Sequence, residues 1–175
     1  MPITSRSEYG MRAMIVLAEQ GGDDLLSASE LSKREHIPLK YLEQLLAELK
    51  KAGLLVSFPG ARGGYRLARP AGTILVGEVV RSLDGPLSPM SCVSEGDRAP
   101  CAYEAGCKLK PLWSILHGSI QQVLDHTTLE QVATSGTLRR APLVELDALP
   151  EPPAELPSPP EPDASSPRCG LMYMI

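Results

Sequence analysis

The sequence has few of the features that mark secreted, membrane-spanning or catalytic proteins. Its apolar run near the N-terminus, Met14–Ala18, is too short and too far inside the chain for a signal sequence or a membrane span. We therefore expect a cytoplasmic protein with no membrane partner. The sequence contains no evident nucleophile–base pair or nucleotide-binding loop, so we do not expect an enzyme. Cysteine is scarce, with four residues in 175, and in a reducing cytoplasm these thiols stay free.

The formal net charge of -4 conceals a division of charge along the chain. Between residues 31 and 70, eight Lys and Arg side chains stand against three acidic ones, whereas from Arg140 onward two basic residues stand against six acidic ones. Because local charge governs attraction to phosphate, the first segment is compatible with a nucleic-acid partner. Residues 142–167 contain nine of the 17 prolines, so we predict that residues 136–175 form a disordered acidic tail.

The first 84 residues have the pattern of a winged helix-turn-helix DNA-binding domain. Ser5-x-x-Glu8 and Ser27-x-x-Glu30 have the spacing of capping boxes, which predicts that a helix begins at each. A third helix follows Pro38, with leucines on one broad face. Two short apolar runs then flank a loop with three glycines, which predicts a β-hairpin with positive charge at its tip. The leucines of the third helix's predicted face are Leu39, Leu42, Leu45, Leu46 and Leu49.

The side chains expected to contact double-stranded DNA lie on the third helix and the hairpin. Lys40 can bind phosphate or guanine, and Gln44 carries the amide that pairs with an adenine edge. Arg62 can reach a phosphate or the minor groove from the hairpin tip while the third helix enters the major groove. The full predicted set is Lys40, Tyr41, Gln44, Arg62, Gly63, Gly64 and Tyr65. The alternative is a winged helix that binds only protein, with its charges solvated.

Three of the four cysteines, Cys92, Cys101 and Cys107, lie in one polar stretch that also contains glycine and proline. An odd number of thiols in an irregular segment argues against closed disulfides and indicates metal ligation or thiol chemistry. Zinc is one alternative, although the paired C-x2-C knuckles typical of structural zinc sites are absent from the sequence. A metal-free switch, in which two of these thiols form a disulfide, is another.

After the cysteine segment, apolar side chains recur at helical intervals over about four turns. Such a stripe must be buried against another surface. The residues of this stripe are Leu109, Trp113, Leu116, Ile120, Val123 and Leu124.

Four runs of this sequence closely resemble the Rrf2 family of winged-helix transcription regulators (IscR-, NsrR- and RirA-like). They are Tyr41-Leu-Glu-Gln-Leu45, Leu49-Lys-Lys-Ala-Gly-Leu54, Ser57-Phe-Pro-Gly-Ala-Arg-Gly-Gly-Tyr-Arg-Leu-Ala-Arg-Pro70 and Ile74-Leu-Val-Gly-Glu-Val-Val80, and the resemblance covers residues 1 to about 135. It implies a mainly α-helical homodimer with a small hairpin wing that binds a palindromic operator, often as a repressor. It also implies that residues 85–108 form a loop for an iron-sulfur cluster, and that residues 109–135 form a dimerisation helix and a short end helix.

The resemblance assigns Cys92, Cys101 and Cys107 as ligands of a [2Fe-2S] or [4Fe-4S] cluster that senses iron, redox state or nitric oxide. The spacing C-x8-C-x5-C departs from the family pattern in its first gap, which is usually shorter. In one branch of the family the fourth ligand is a carboxylate from the partner's first helix, and Glu8 stands at the matching position. His36 is the alternative fourth ligand. If Glu8 closes a capping box with Ser5, it needs no metal.

Overall fold

The computed structural model describes residues 4–21, 24–60, 62–94, 101 and 107–134. In this part of the chain, six α-helices accompany a two-stranded antiparallel hairpin, and short 3-10 turns occupy Ala71–Thr73 and Ser91–Val93. The mainly α fold with a hairpin wing is therefore confirmed, whereas the predicted tail, residues 136–175, lies outside the described residues. The elements are α1 (Ser5–Gln20), α2 (Ala28–Glu35), α3 (Leu39–Lys51), β1 (Leu55–Phe58), β2 (Gly64–Leu67), α4 (Val76–Asp84), α5 (Lys110–Asp125) and α6 (Leu129–Ala133).

The hydrophobic core lies between α1, α3 and α4, and α6 closes one side of it. Four leucines of α3 are 0% exposed, and burial of each such side chain stabilises the fold by about 1.5–3 kcal/mol. They are Leu42, Leu45, Leu46 and Leu49. Leu39, predicted on the same face, is instead 41% exposed, because it is the first residue of α3 and lies beyond the end of the core.

The start of α1 differs from the predicted capping box. The N-cap is Thr4, whose hydroxyl accepts the backbone N–H of Arg6, so Ser5 already lies inside the helix. Thr4 is held there by Asp84 at the end of α4, which accepts the Thr4 backbone N–H at 3.0 Å and its hydroxyl at 2.5 Å. A tertiary contact thus shifts the N-cap by one residue, and Glu8 is not the capping carboxylate.

The second predicted capping box is present. The Ser27 hydroxyl accepts the backbone N–H of Glu30, and the Glu30 carboxylate accepts the backbone N–H of Ser27. The helix ends at His36, whose φ of 55° is the left-handed conformation that often stops a helix. The turn from α2 to α3 is therefore tight, as a helix-turn-helix requires.

The hairpin is fastened to the segment that precedes α2. Tyr65 and Leu26 exchange two backbone hydrogen bonds, of 2.8 and 3.1 Å, beside the register Ser57↔Tyr65. A Cβ added at Gly64 would lie 2.6 Å from the Leu26 carbonyl oxygen, so this close approach of two backbones requires glycine. The wing is therefore positioned by backbone contacts to the helical body.

α5 and α6 complete the described part of the chain and are joined to α4. The Arg81 guanidinium of α4 donates to both carboxylate oxygens of Asp125 in α5, at 2.5 and 3.2 Å. Leu129 of α6 is fully buried, whereas none of the side chains of α5 is fully buried. Among the described residues, no helix combines the length and apolar character that a membrane crossing needs.

Candidate DNA interface and cysteine site

One face of α3 is free of internal contacts to the core and carries two of the predicted DNA-binding residues. Lys40 and Gln44 are both exposed and lie four residues apart, hence one above the other on the same helix face. The buried leucines occupy the opposite side and fix the orientation of this face. The arrangement presents a cation and a planar amide side by side, as contacts to phosphate and base edges require.

Tyr41 is placed differently from these two residues. It is half-buried, and its ring meets the ring of Tyr9 in α1 edge-to-face, with centroids 6.0 Å apart and planes at 86°. This geometry is the favourable arrangement for an aromatic pair. The ring of Tyr41 therefore contributes to the contact between α1 and α3.

The wing presents Arg62 at its exposed tip, as predicted. The fold itself requires Gly63 and Gly64, the two glycines that we predict to let DNA approach the backbone. A Cβ added at Gly63 would collide with the backbone of Phe58 and Pro59, and Gly64 lies against Leu26. Tyr65 is half-buried.

Sequence reasoning missed a second arginine on the wing, which is half-buried and lies against an exposed aromatic ring. The guanidinium of Arg66 lies 5.4 Å from the ring centroid of Phe58, which is 43% exposed. Such a cation–π contact holds the arginine in a defined place. The register of the hairpin, in which Phe58 pairs with Gly64, places Arg66 diagonally across from Phe58. The sequence signal for this contact is an aromatic residue and an arginine at positions that lie diagonally opposite each other in the hairpin.

A salt bridge connects the first turn of α1 with α3. Arg6 donates from Nη2 to Glu48 of α3 at 2.5 Å and from Nε to the carbonyl oxygen of Leu83 in α4 at 3.1 Å. The hydrogen bond to Glu48 and the negative charge of that carboxylate raise the pKa of Arg6. One guanidinium thus joins three helices, and the position of α3 depends on the amino end of α1.

Two carboxylates fasten the ends of α4 in their ionised forms. Burial alone would raise the pKa of Asp84, but the two hydrogen bonds from Thr4 and the charge of Arg6 outweigh it and lower the pKa. Burial likewise opposes ionisation of Glu78, but the backbone N–H of Leu75 and the pair with Arg69 lower its pKa. Helix α4 is therefore held at both ends by charge-assisted hydrogen bonds.

The three clustered cysteines lie along the connection from α4 to α5. Cys92 is in the short 3-10 turn, and the carbonyl oxygen of Cys107 accepts the backbone N–H of Lys110 at the start of α5. No disulfide joins Cys92, Cys101 and Cys107 to one another, and all three are of intermediate burial. Residues 95–100 and 102–106 lie outside the described residues. Within the described part of the chain, no three His, Cys, Asp or Glu side chains are grouped closely enough to hold a metal ion.

The two candidate fourth ligands are both at the surface. Glu8 is exposed on α1 and accepts a hydrogen bond from Arg12, one turn later, at 2.6 Å. The capping interaction with Ser5 that would have occupied this carboxylate is absent. His36 is exposed at the end of α2. Neither residue is grouped with the cysteines in the described part of the chain.

The predicted dimerisation stripe of α5 divides into two faces. Leu109, Leu116 and Val123 are 41–55% exposed, and sequence reasoning missed two further exposed residues, Leu112 at 48% and Ile115 at 41%. The spacing of Leu109, Leu112, Leu116 and Val123 follows the a and d positions of heptads. Ile120 and Leu124 instead line a cavity against the residues that follow α4, and Trp113 is half-buried.

Comparison with known proteins gives a consistent result over the described domain. A family model described as "Rrf2: Iron-dependent Transcriptional regulator" matches residues 3–135. HTH-type transcriptional regulator CymR of Bacillus subtilis is 35% identical over 134 residues, which are 77% of this chain and 91% of CymR. HTH-type transcriptional regulator IscR of Vibrio parahaemolyticus is 34% identical over 134 residues, which are 77% of this chain and 78% of IscR.

Solved structures agree with this assignment. The structure of B. subtilis CymR has a TM-score of 0.67 and 33% identity, and it covers 78% of this chain and 99% of that chain. The structure of T. potens IscR has a TM-score of 0.58 and 31% identity, and it covers 78% of this chain and 93% of that chain. These relatives are transcription regulators and not enzymes. The chain therefore belongs to the Rrf2 family of helix-turn-helix transcriptional regulators.

Proposed function

We propose that this regulator binds a palindromic operator as a homodimer and acts as a repressor, and that the state of Cys92, Cys101 and Cys107 controls its affinity for DNA. One observation carries the proposal. In a chain of this family, α3 buries four leucines on one side and exposes Lys40 and Gln44 on the other, beside a wing with an exposed Arg62. The chain thus has the parts of a groove-reading element on a rigid support.

On DNA, Gln44 reads base edges and Lys40 neutralises phosphate or donates to guanine. Arg62 and the Arg66–Phe58 pair contact the backbone or minor groove beside the half-site from the wing. A side chain that pairs well with a base edge contributes about 1–3 kcal/mol of discrimination, whereas each phosphate contact adds affinity without sequence preference.

Dimerisation rests on α5. Its exposed leucines and valine follow a heptad spacing, so a second copy of α5 would bury a continuous apolar seam. The two copies of α3 would then contact half-sites about one helical turn of DNA apart, which a palindromic operator provides.

The donor set of the cysteine segment fits an iron-sulfur cluster in kind, because it offers three thiols that no disulfide joins to one another and leaves one ligand position to another residue. Cys92, Cys101 and Cys107 would hold the cluster, with Glu8 as the fourth ligand or His36 in its place. When bound, the group supplies iron–thiolate bonds that respond to iron supply, oxidants or nitric oxide. An oxygen donor such as Glu8 binds more weakly than a thiolate, which suits a site that must exchange.

The chain's own contacts supply a route from this site to DNA. In the part of the chain that the structure describes, Glu8 pairs with Arg12 at the surface, and two residues earlier Arg6 binds Glu48 of α3. A change of partner at Glu8 alters the first turns of α1, and the Arg6–Glu48 pair passes that change to the helix that carries Gln44. Such a contact gives the two sites a coupling free energy.

The test is anaerobic purification followed by iron and sulfide analysis, Mössbauer spectroscopy and DNA binding to the regulator's own upstream region. We expect a coloured protein whose Kd for DNA changes at least tenfold when Cys92, Cys101 and Cys107 are replaced together by serine. Cys169→Ser, outside the trio, is the matched control and should leave the Kd unchanged. A colourless, iron-free protein that binds DNA equally well in both forms would refute control by a cluster.

A second candidate is a thiol switch without iron, and similarity to CymR favours it. B. subtilis CymR is described as the global cysteine regulator, and Staphylococcus aureus CymR, 33% identical, has been solved in an oxidized form. Here two of the three thiols would form a disulfide, with two electrons and two protons passing to a disulfide such as oxidised glutathione. Zinc held by the same thiols is the related alternative. Thiol titration before and after oxidation, with zinc analysis of the colourless protein, distinguishes these from a cluster.

A further inference from the structure

Phe58 is an exposed aromatic residue at the base of the wing tip. It is the last residue of β1, and it is 43% exposed. The register of the hairpin pairs it with Gly64, which has no side chain to cover the ring. Residues 59–63 connect the two strands, so Phe58 directly precedes the loop that carries Arg62. A single exposed ring is common at protein surfaces, and it is the surroundings of this ring that indicate a role.

The outer face of the hairpin combines this ring with positive charge. Successive residues of a strand point to opposite faces, and Leu55 is buried in the core, so Phe58, three residues later, points outward. Arg66 pairs with Val56 and therefore lies on the same outer face, with its guanidinium 5.4 Å from the centroid of the Phe58 ring. Residues 54–70 contain three arginines and no acidic residue. This face therefore suits a polyanion that also offers apolar surface.

The backbone behind the ring is held in place by the rest of the domain. Tyr65 exchanges two backbone hydrogen bonds with Leu26, and Gly64 lies so close to the Leu26 carbonyl that no larger residue fits. A side chain can separate two stacked bases only where its own backbone does not yield. The hairpin supplies such a support for Phe58.

The minor groove of duplex DNA accepts apolar side chains of this kind. Proteins that insert Phe, Leu or Met between two base pairs partly unstack that step and kink the duplex by about 20–90°. Pyrimidine–purine steps such as TA and CA unstack most easily. We propose that Phe58 enters the minor groove beside each half-site as a wedge and kinks the operator at a pyrimidine–purine step, while Arg62 and Arg66 bind the adjacent phosphates.

This inference rests on the proposed function and deepens it, because it names a property of the DNA that the wing selects. Helix α3 reads base edges through hydrogen bonds, whereas a wedge responds to how easily a step unstacks. Specificity thus extends to base pairs that no polar side chain contacts. In a homodimer the two wings act at positions related by the twofold symmetry of the operator.

The wedge is tested on a duplex from the regulator's own upstream region that contains the site located by footprinting. Donor and acceptor dyes at its two ends report bending, and 2-aminopurine placed in turn at pyrimidine–purine steps of the footprint reports unstacking. We expect the full-length wild type to bend the duplex by about 20° or more and to raise the 2-aminopurine fluorescence at one step in each half of the site.

Two variants of Phe58 provide the matched comparison at protein concentrations that saturate the DNA. Phe58→Leu keeps an apolar wedge and should keep both signals. Phe58→Ala should lose both, with an unchanged circular dichroism spectrum, because the side chain that it truncates is exposed.

Replacement of the unstacked step by a stiff AA step tests the same contact without changing the protein. The wild type should bind the altered duplex about tenfold more weakly, whereas Phe58→Ala should bind both duplexes equally. Gln44→Ala is the control, and it should retain the step preference. The proposal is overturned if the wild type binds its site but leaves it straight, or if Phe58→Ala bends it equally. A protein without preference for any sequence would overturn the proposed function and the wedge with it, whereas specific binding to a straight duplex overturns the wedge alone.

Discussion

The helices α3 and α5 are both amphipathic, but the apolar face of α3 is buried within the chain whereas much of the apolar surface of α5 is exposed. Four leucines of α3 are 0% exposed, whereas four apolar residues of α5 and Leu109 just before it are each 41% exposed or more. The partner of the α3 stripe lies within the same chain, against α1 and α4. The exposed face of α5 is not covered by another element in the described part of the chain. An apolar stripe in a sequence thus identifies a face that must be covered but does not say by what.

The largest effect should come from the α3 stripe. Leu45→Ala removes a fully buried side chain from a packed core, so it should lower the free energy of unfolding by about 2–5 kcal/mol. Urea denaturation followed by circular dichroism measures this. Leu112→Ala, an equally large truncation on the exposed seam, should change the urea midpoint of the isolated protomer by much less. Equal losses at the two positions would contradict the contrast between the helices.

The converse experiment places a charge on the exposed heptad residues at and before α5, which are Leu109, Leu112, Leu116 and Val123. Leu116→Glu should weaken the dimer at least a hundredfold, or about 3 kcal/mol, because the charge would be buried between two copies of α5. Analytical ultracentrifugation across a dilution series gives the dimer Kd.

Leu39→Glu is the matched control for this charge, since Leu39 and Leu116 are both 41% exposed but only Leu116 belongs to the heptad pattern. The control should leave the dimer Kd unchanged. A Leu116→Glu protein that dimerises normally would place the interface elsewhere.

Sequence patterns predicted the elements whose signals are local. The capping box at Ser27, four of the five predicted leucines of α3 and the glycine-containing hairpin are set by residues close in the chain, and the structure has them. The start of α1 could not be predicted in this way. Its N-cap is Thr4 because Asp84, 80 residues away, accepts two hydrogen bonds from it.

The candidate sites were predictable to different extents for the same reason. Lys40, Gln44 and Arg62 are exposed where helix periodicity and turn chemistry place them. The two faces of α5 could not be separated, since Ile120 and Leu124 differ from Leu112 and Ile115 only in what lies opposite. The arrangement of the cysteine thiols could not be predicted either, because the segment that carries them is irregular and has no periodic pattern.

On the exposed face of α3 and at the tip of the wing, we predict two separable effects on DNA binding. Gln44→Ala should lose about 1–3 kcal/mol of preference for the operator over a site with one changed base pair, because a base contact carries sequence information. Arg62→Ala should weaken binding to both sites alike and reduce the salt dependence by about one ion.

Fluorescence anisotropy at several salt concentrations measures both variants, and Lys51→Ala, at the far end of α3, is the control. If Gln44→Ala weakened binding to every sequence equally, the groove-facing assignment of α3 would be wrong.

The smallest predicted effect concerns the hydrogen bonds between Thr4 and Asp84 that fix α1 to α4. It is measured as a change in stability with pH. Because the pKa of Asp84 is lowered in the folded protein, its contribution to stability is present above the ordinary carboxyl pKa of 3.8 and is lost as the pH falls through the folded value. Asp84→Asn should cost about 1 kcal/mol at pH 7 and progressively less below about pH 4, because both proteins then carry a neutral group. Urea midpoints between pH 7 and pH 3 test this, with the exposed Asp24→Asn as control. A difference between wild type and Asp84→Asn that stays constant over this range would mean that the hydrogen bonds from Thr4 do not depend on the charge of Asp84.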